Sequence, residues 1–420
     1  MLKFTHHKLR VALLISVLVA ASACNSLLSV DNPGRVPDDQ LGDPALAPAL
    51  EAGAIQTLQC GAVNYAATAG MLAGEYWSAN GFVNNHPWEW RGVVQIKGEP
   101  GSCTYNRNST FMGFYTPLQQ ARFQLEDTFN RIEKFTDAQV PTRAKILTEM
   151  RAYAGYAYAL LAEGMCQMTV DRGPVLTRAQ TLAIAEQRFT DAITRATAIN
   201  DASLLNMALV GRARVRLDLG NLTDAAADAQ LVPSTFVWAA EFSETAQQRE
   251  NRIYDLTIRG EFLSVSPAYQ NLTVNGAADP RVKVTNTGRI AADNVTPLWL
   301  QQKFSGNAAG AVSLPIASWA EAQLIYAEAV GGQPGLDAIN RVRAASSIGP
   351  LVLAPGDNFE TAVLEERRRQ LFSEGQRYGD MLRKNLPFQT GTNRKGQTYS
   401  NLTCVPLPDV ETLNNPNLGS

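Results

Sequence analysis

The chain has 420 residues, 18% of them charged, and a formal charge of −2. That length suits roughly two or three average domains or one large helical body, and so weak an acidity argues against nucleic-acid binding, which needs a basic face. Of three histidines only His86 lies beyond the first ten residues, too few for a multi-histidine metal site, and no GxGxxG, P-loop or HExxH occurs.

The N-terminus reads as an export signal. Lys3, Lys8 and Arg10 form a basic leader, Val11 to Ala20 are apolar except for Ser16, and Ala21, Ser22 and Ala23 precede Cys24. Basic, apolar, small is the layout of a secretory leader, and the apolar run is shorter than the roughly 20 residues of a membrane span. The last four residues resemble a lipobox, with Ala21 where Leu is most favoured. Residues 1–23 are therefore expected to be a lipoprotein signal peptide and Cys24 the lipid-bearing residue, with Asn25 compatible with outward sorting. Without the three leader cations the charge is about −5, and no later segment is apolar enough to span a membrane. Residues 24–45, with Asn32-Pro33-Gly34 and Asp43-Pro44, read as a tether and lead-in.

Residues 45–72 are rich in Ala, Leu and Gly and look helical, whereas 74–116 carry Gly, Asn, Pro and aromatic residues without helical period. Leu118 to Phe135 and Thr142 to Gln167 are expected helices. In the second, Ile146, Met150, Tyr153, Ala157 and Leu160 recur every three or four residues, and Pro141-Thr142 mark its start. Small residues from Ala152 to Ala162, Gly155 among them, invite close helix approach. Ala185 to Ile199, Leu204 to Leu219 and Leu222 to Leu231 continue the helical pattern around a break at Gly220-Asn221. Ala208 to Ala225 resembles half a tetratricopeptide repeat, with small residues where paired helices touch. Further pairs are expected from 140–170 with 183–200 and from 318–330 with 335–346, and 357–385 adds another member. The stretches 74–116, 233–315 and 386–420 read as long loop insertions, which in compact proteins are usually functional. The expected fold is mostly α: a right-handed helical-repeat, tetratricopeptide-like scaffold carrying a large irregular loop subdomain, in a single domain over 46–420.

Beyond Cys24 stand Cys60, Cys103, Cys166 and Cys404, none in CxxC spacing. An even count in an oxidising compartment points to two disulfides in any of three connectivities. Cys60–Cys103 is favoured because both flank one loop-rich region, which leaves Cys166–Cys404.

The C-terminal third carries the most specific pattern. Glu366-Arg367-Arg368 precedes Leu371, Glu374-Gly375, Arg377, Asp380 and Arg383. This run resembles the ERR-x-x-L-x-x-EG-x-R-x-x-D-x-x-R signature of the SusD/RagB family. Trp319 to Ala329, Ala338 to Arg343, Asp279-Pro280-Arg281, Arg151 to Gln167 and the closing Val405-Pro406-Leu407-Pro408 with Asn415-Pro416-Asn417-Leu418 resemble further family segments in their expected order. Gly379 departs from the bulky residue usual there, and 60–115 matches nothing diagnostic. Glu366, Arg367, Glu374, Arg377 and Asp380 alternate in sign at helical spacing and are expected to tie helices together. The resemblance implies a SusD-like fold and a non-catalytic, cofactor-free nutrient-binding lipoprotein, lipid-anchored at the outer membrane and surface-exposed, whose partner is a SusC-like TonB-dependent transporter and whose ligand is an oligosaccharide. A peptide or other polymer as ligand, or a helical-repeat adaptor without small ligand, are the alternatives.

Glycan capture needs flat aromatic platforms beside planar polar side chains. Three of the six tryptophans lie within residues 77–90. Trp77, Asn84, Asn85, Trp88, Trp90 and Arg91 are the candidate ligand contacts. Trp88 and Trp90 would share one face of an extended segment. Trp299 is a further candidate, Tyr269 and Asn271 weaker ones; Trp238 and Trp319 are expected to be structural, at helix edges. His86 for acid–base work, or Glu75 with Glu89 as a glycosidase pair, lack a supporting motif.

Overall fold

The structure, a computed structural model, describes residues 38–81, 86–98, 100–103, 112–306 and 308–418. The expected leader, Cys24 and the tether up to residue 37 lie outside the described residues. Residues 47–420 form one compact unit, and the described residues before it make two short 3-10 turns, Asp38–Gln40 and Pro44–Leu46.

In chain order the larger unit runs α1 (Ala47–Leu72), β1 (Tyr76–Ser78), α2 (His86–Trp90), α3 (Val93–Gly98), α4 (Tyr115–Ile132) and α5 (Arg143–Gly164). There follow β2 (Gln167–Met168), β3 (Leu176–Thr177), α6 (Arg178–Ala198), α7 (Ala202–Asp218), α8 (Leu222–Ala229) and β4 (Val237–Ala240). A short α9 (Arg252–Tyr254) runs into a π-turn, Asp255–Arg259, before β5 (Leu263–Val265), β6 (Thr273–Val274), β7 (Ala277–Ala278), β8 (Val284–Ile290), β9 (Pro297–Gln301) and β10 (Leu314–Ser318). The chain closes with α10 (Trp319–Val330), α11 (Gly332–Ala345), α12 (Phe359–Gln370), α13 (Gln376–Arg383) and α14 (Asp409–Asn414). The fold is mostly helical, as the periodicity predicts.

Helix starts follow local chemistry. Thr177 and Gln180 form a capping box on α6, and Asp201, Asn221, Ser318 and Asn358 each accept a backbone N–H at the start of α7, α8, α10 and α12. Thr142 precedes α5 as expected but makes no side-chain cap. The expected pairs form, α5 on α6 and α10 on α11, and α6 packs on α7 as well. One ring explains much of the first stack. Phe189 of α6 lies where a Cβ on Gly155 or Gly211 would sit 2.6 or 2.3 Å from it, so only glycine lets α5 and α7 close on that side chain.

Three expectations need correction. Residues 357–385 make two helices, not one, because Gly375 takes φ +81° and turns the chain between α12 and α13. The loop insertions 74–116 and 233–315 also hold regular structure. They contribute α2, α3 and the start of α4, and strands that pair antiparallel as β1–β5, β4–β10, β6–β7 and β8–β9. Trp238 lies in β4, not at a helix edge, and its indole N–H donates to the Tyr153 hydroxyl at 2.9 Å; Trp319 opens α10.

Both disulfides form as favoured, Cys60–Cys103 and Cys166–Cys404. The signature run is a buried ion-pair lattice. Glu366 accepts from Arg281 and Arg343 at 2.5 and 2.7 Å, Arg367 and Arg383 both bind Asp380, Arg383 also binds Glu328 of α10, and Glu374 takes Lys303 at 2.6 Å. Arg281 and Arg369 share Asp279, so the Asp279-Pro280-Arg281 turn is tied to α12. Breaking one partner of such a pair strands a charge in the interior. At Gly379 a Cβ would meet only ordinary contacts with Glu163, 3.6 Å away, so packing does not demand the glycine.

Candidate functional site

After α1 the chain turns through Gly74 (φ +74°) and buries Glu75 completely. Burial pushes its carboxyl up to about 7, partly offset by the Ser373 N–H and by Lys303. β1 then pairs with β5, Trp77 opposite Ser264. Strand alternation sends Tyr76 into the core, where its hydroxyl meets Ser373, and leaves Trp77 half-buried. The Ser264 hydroxyl donates to the Pro297 carbonyl and accepts the Trp299 N–H at 2.9 Å. Trp77 and Trp299 are thus both tied to one residue of β5, Trp77 by strand pairing and Trp299 through the Ser264 hydroxyl.

Residues 388–400 are laid over this loop. The Arg394 guanidinium stacks 4.3 Å from the Trp77 ring centroid, binds both oxygens of Glu89, and donates to the Ser78 carbonyl and the Thr296 hydroxyl. Glu89 also accepts the Ser78 N–H at 2.7 Å. Lys395 pairs with Asp293 at 2.8 Å and reaches the Asn80 carbonyl and the His86 ring. Burial lowers the pKa of His86 and of Lys395. At Asp293 burial acts upward, but the bonds from Lys395 and Thr296 outweigh it and hold the carboxyl well below its usual range.

The predicted contacts separate on this frame. Trp77, Trp90 and Trp299 keep part of their surface open. Trp88 does not: it is 2% exposed and packs against Phe114. The reason is local. Residues 86–90 are helical, so Trp88 and Trp90, about 200° apart around the axis, point to opposite sides instead of sharing a face. Trp90 lies over Gly92, where a Cβ would come within 2.3 Å of the ring. Arg91, at φ +60°, is 1% exposed and is sandwiched between Phe388 and Tyr399, donating to Gln389 and to the Ser400 carbonyl; it clamps the C-terminal loop and has no face for a ligand. Tyr269 is core, stacked on Phe372, and Asn271 is exposed. Asn84 and Asn85 lie outside the described residues. Glu75 is buried and Glu89 is held by Arg394, so neither stands as an open carboxylate. Sequence reasoning missed Arg394 and Lys395. Their signal was a turn, Gly391 to Gly396, carrying two adjacent cations.

No helix among the described residues is long and apolar enough to cross a membrane. Compared with known proteins, residues 232–417 match the sequence profile of the SusD family. No curated protein sequence matches the chain. Solved structures do. A SusD superfamily protein of Bacteroides fragilis aligns at TM-score 0.65 and 15% identity, over 90% of this chain and 99% of that one. A SusD-like carbohydrate binding protein of Bacteroides vulgatus aligns at 0.65 and 15%, over 90% and 97%. Surface glycan-binding protein A of Bacteroides thetaiotaomicron, solved with laminarihexaose, aligns at 0.62 and 13%, over 89% and 98%. At such identities the structures share the fold. The profile match covers the ion-paired helices α12 and α13 and the closing segment, and the shared fold spans nine-tenths of the chain: this protein has the fold of the solved SusD superfamily structures, and its C-terminal part is similar in sequence to the SusD family.

Proposed function

We propose that this protein is a non-catalytic glycan-binding lipoprotein, anchored through Cys24 at the outer membrane and facing outward, which passes its ligand to a SusC-like TonB-dependent transporter. The observation that carries the reading is the shared fold with proteins described as carbohydrate binding, one of them solved with laminarihexaose. Two features of the chain support it. The half-open indoles of Trp90 and Trp299, and what Arg394 leaves uncovered of Trp77, offer apolar surface to sugar C–H groups. The carboxylates beside them are already engaged, which suits binding better than hydrolysis.

Calorimetric titration with laminarihexaose, maltohexaose, cellohexaose and xylohexaose tests capture. Binding of at least one, without release of reducing ends, is the expected result; silence toward all four, or cleavage, would sink it. For the anchor, Cys24→Ser should release the protein from the outer-membrane fraction, and unchanged retention would refute that part. Co-purification of a TonB-dependent transporter from solubilised membranes checks the partner.

A further inference from the structure

A groove of about 250 Å3 opens beside α1 and shares no lining residue with the ligand contacts nominated by sequence. One wall is α1, with Gln56 and Gln59 above a floor of Cys60 and Val63; the other is residues 241–250, with Phe242 half-buried between Glu241 and Ser243. The walls are fixed. The Gln59 carboxamide pairs with both the N–H and the carbonyl of Glu241, and Cys60 is held by its disulfide to Cys103. The Ser243 N–H closes the 243–249 turn on the Arg249 carbonyl at 2.8 Å, and Gly310 donates to the Glu244 side chain at 3.0 Å.

What distinguishes the groove is its open hydrogen-bonding capacity. Among the described residues the side chains of Gln56, Gln248, Glu241 and Arg249 make no hydrogen bond or ion pair to the protein. Glu250, by contrast, is buried and bound to Arg259. The open set therefore combines two amides, which donate and accept, with one carboxylate, one guanidinium and a flat apolar ring. The two charges are opposite, so the groove has no preference for an anion or a cation. A rigid pocket of planar polar groups around one aromatic face fits a ring with apolar C–H atoms on one side and hydroxyls at its rim. Its volume lies below the roughly 300–1,000 Å3 of sites for drug-sized ligands, which limits it to a small unit.

We propose that this groove is a second ligand site, separate from the Trp77 region, that takes a single sugar unit of a neutral glycan with its apolar face on Phe242. The ligand class rests on the capture reading above; the location rests on the groove alone. A glycan long enough to engage both places would gain affinity without new contacts at either.

The test uses the intact mature chain, titrated with the same four hexasaccharides. Two variants probe the groove: Phe242→Ala, and the exposed pair Gln248→Ala/Arg249→Ala, which keeps the test valid where loss of the Phe242 packing lowers stability. We expect the hexasaccharide that the parent binds to lose about tenfold in affinity in the first, the scale of one lost aromatic platform, and several-fold in the second, whose melting temperature stays that of the parent. Unchanged affinity in both variants, with binding lost in Trp77→Ala, overturns the groove and leaves capture standing. No binding of any hexasaccharide by the parent overturns both. Trialanine bound in the groove in place of saccharide overturns the ligand class.

Discussion

Around Trp77 the arginine, lysine and glutamate side chains face one another; around Phe242, Arg249 and Glu241 are exposed and make no ion pair among the described residues. Both places set an aromatic ring among charged and amide groups, on short segments braced by the helical scaffold. At Trp77 the guanidinium of Arg394 covers the ring and binds both oxygens of Glu89, so the polar groups are consumed in holding residues 76–91 to residues 388–400. At Phe242 the side chains of Gln56, Glu241, Gln248 and Arg249 have no hydrogen-bond or ion-pair partner among the described residues. Aromatic density marks either state. The difference is how many hydrogen-bonding groups remain unpaired once the chain has folded, because only those can recognise a ligand.

The contrast can be broken from its strong side first. Glu89→Ala should strand Arg394 in the interior and cost about 3–5 kcal/mol in urea unfolding, as broken buried ion pairs do. A loss under about 1 kcal/mol would mean that the latch holds little and that Arg394 is available to a ligand. The bridge that stiffens the groove comes next. It closes a 43-residue loop, so Cys60→Ala/Cys103→Ala should lower stability by up to about 4 kcal/mol on the chain-entropy account.

Glu75 gives a pH-dependent measure of how tightly the Trp77 side is closed. Its carboxyl titrates near 7 when folded and near 4.5 when unfolded, so between those values the folded state binds more protons. Stability from this group is full below about pH 4.5 and is lost as pH rises through about 7, on the order of 3 kcal/mol in all. Glu75→Gln should flatten that part of the stability–pH curve. A variant that follows the parent's slope would show that Glu75 is hydrated and the region open. The smallest effect belongs to the groove: Arg249→Ala, with no partner to lose, should move stability by no more than about 0.5 kcal/mol. A larger loss would reveal a structural role and erase the distinction.

Much of the scaffold was legible because its signals are local. The three- and four-residue spacing of Ile146, Met150, Tyr153 and Leu160 depends only on helical geometry, and Asn221 and Ser318 cap helices through bonds to residues three positions on. The two pairings Cys60–Cys103 and Cys166–Cys404 were also favoured, by position relative to the loops. The site was less legible. Trp88 and Trp90 were read as neighbours on an extended segment, but the short helix α2 turned one into the core against Phe114 and left the other at the surface. Arg91 looked like a ligand contact until Phe388 and Tyr399, some 300 residues later, closed on it.

The sequence by itself determined where the helices run, that α12 and α13 carry a charged run resembling the SusD family signature, and which cysteines were favoured as partners. Those are properties of spacing, and spacing survives in one dimension. Only the tertiary structure decided which polar groups were left over. Arg394 finds Glu89 across 305 positions, whereas Arg249 finds no carboxylate among the described residues although Glu250 is its neighbour, because Glu250 is turned inward to Arg259. Pairing depends on three-dimensional proximity, and that is set by the packing of helices and strands that no local pattern records.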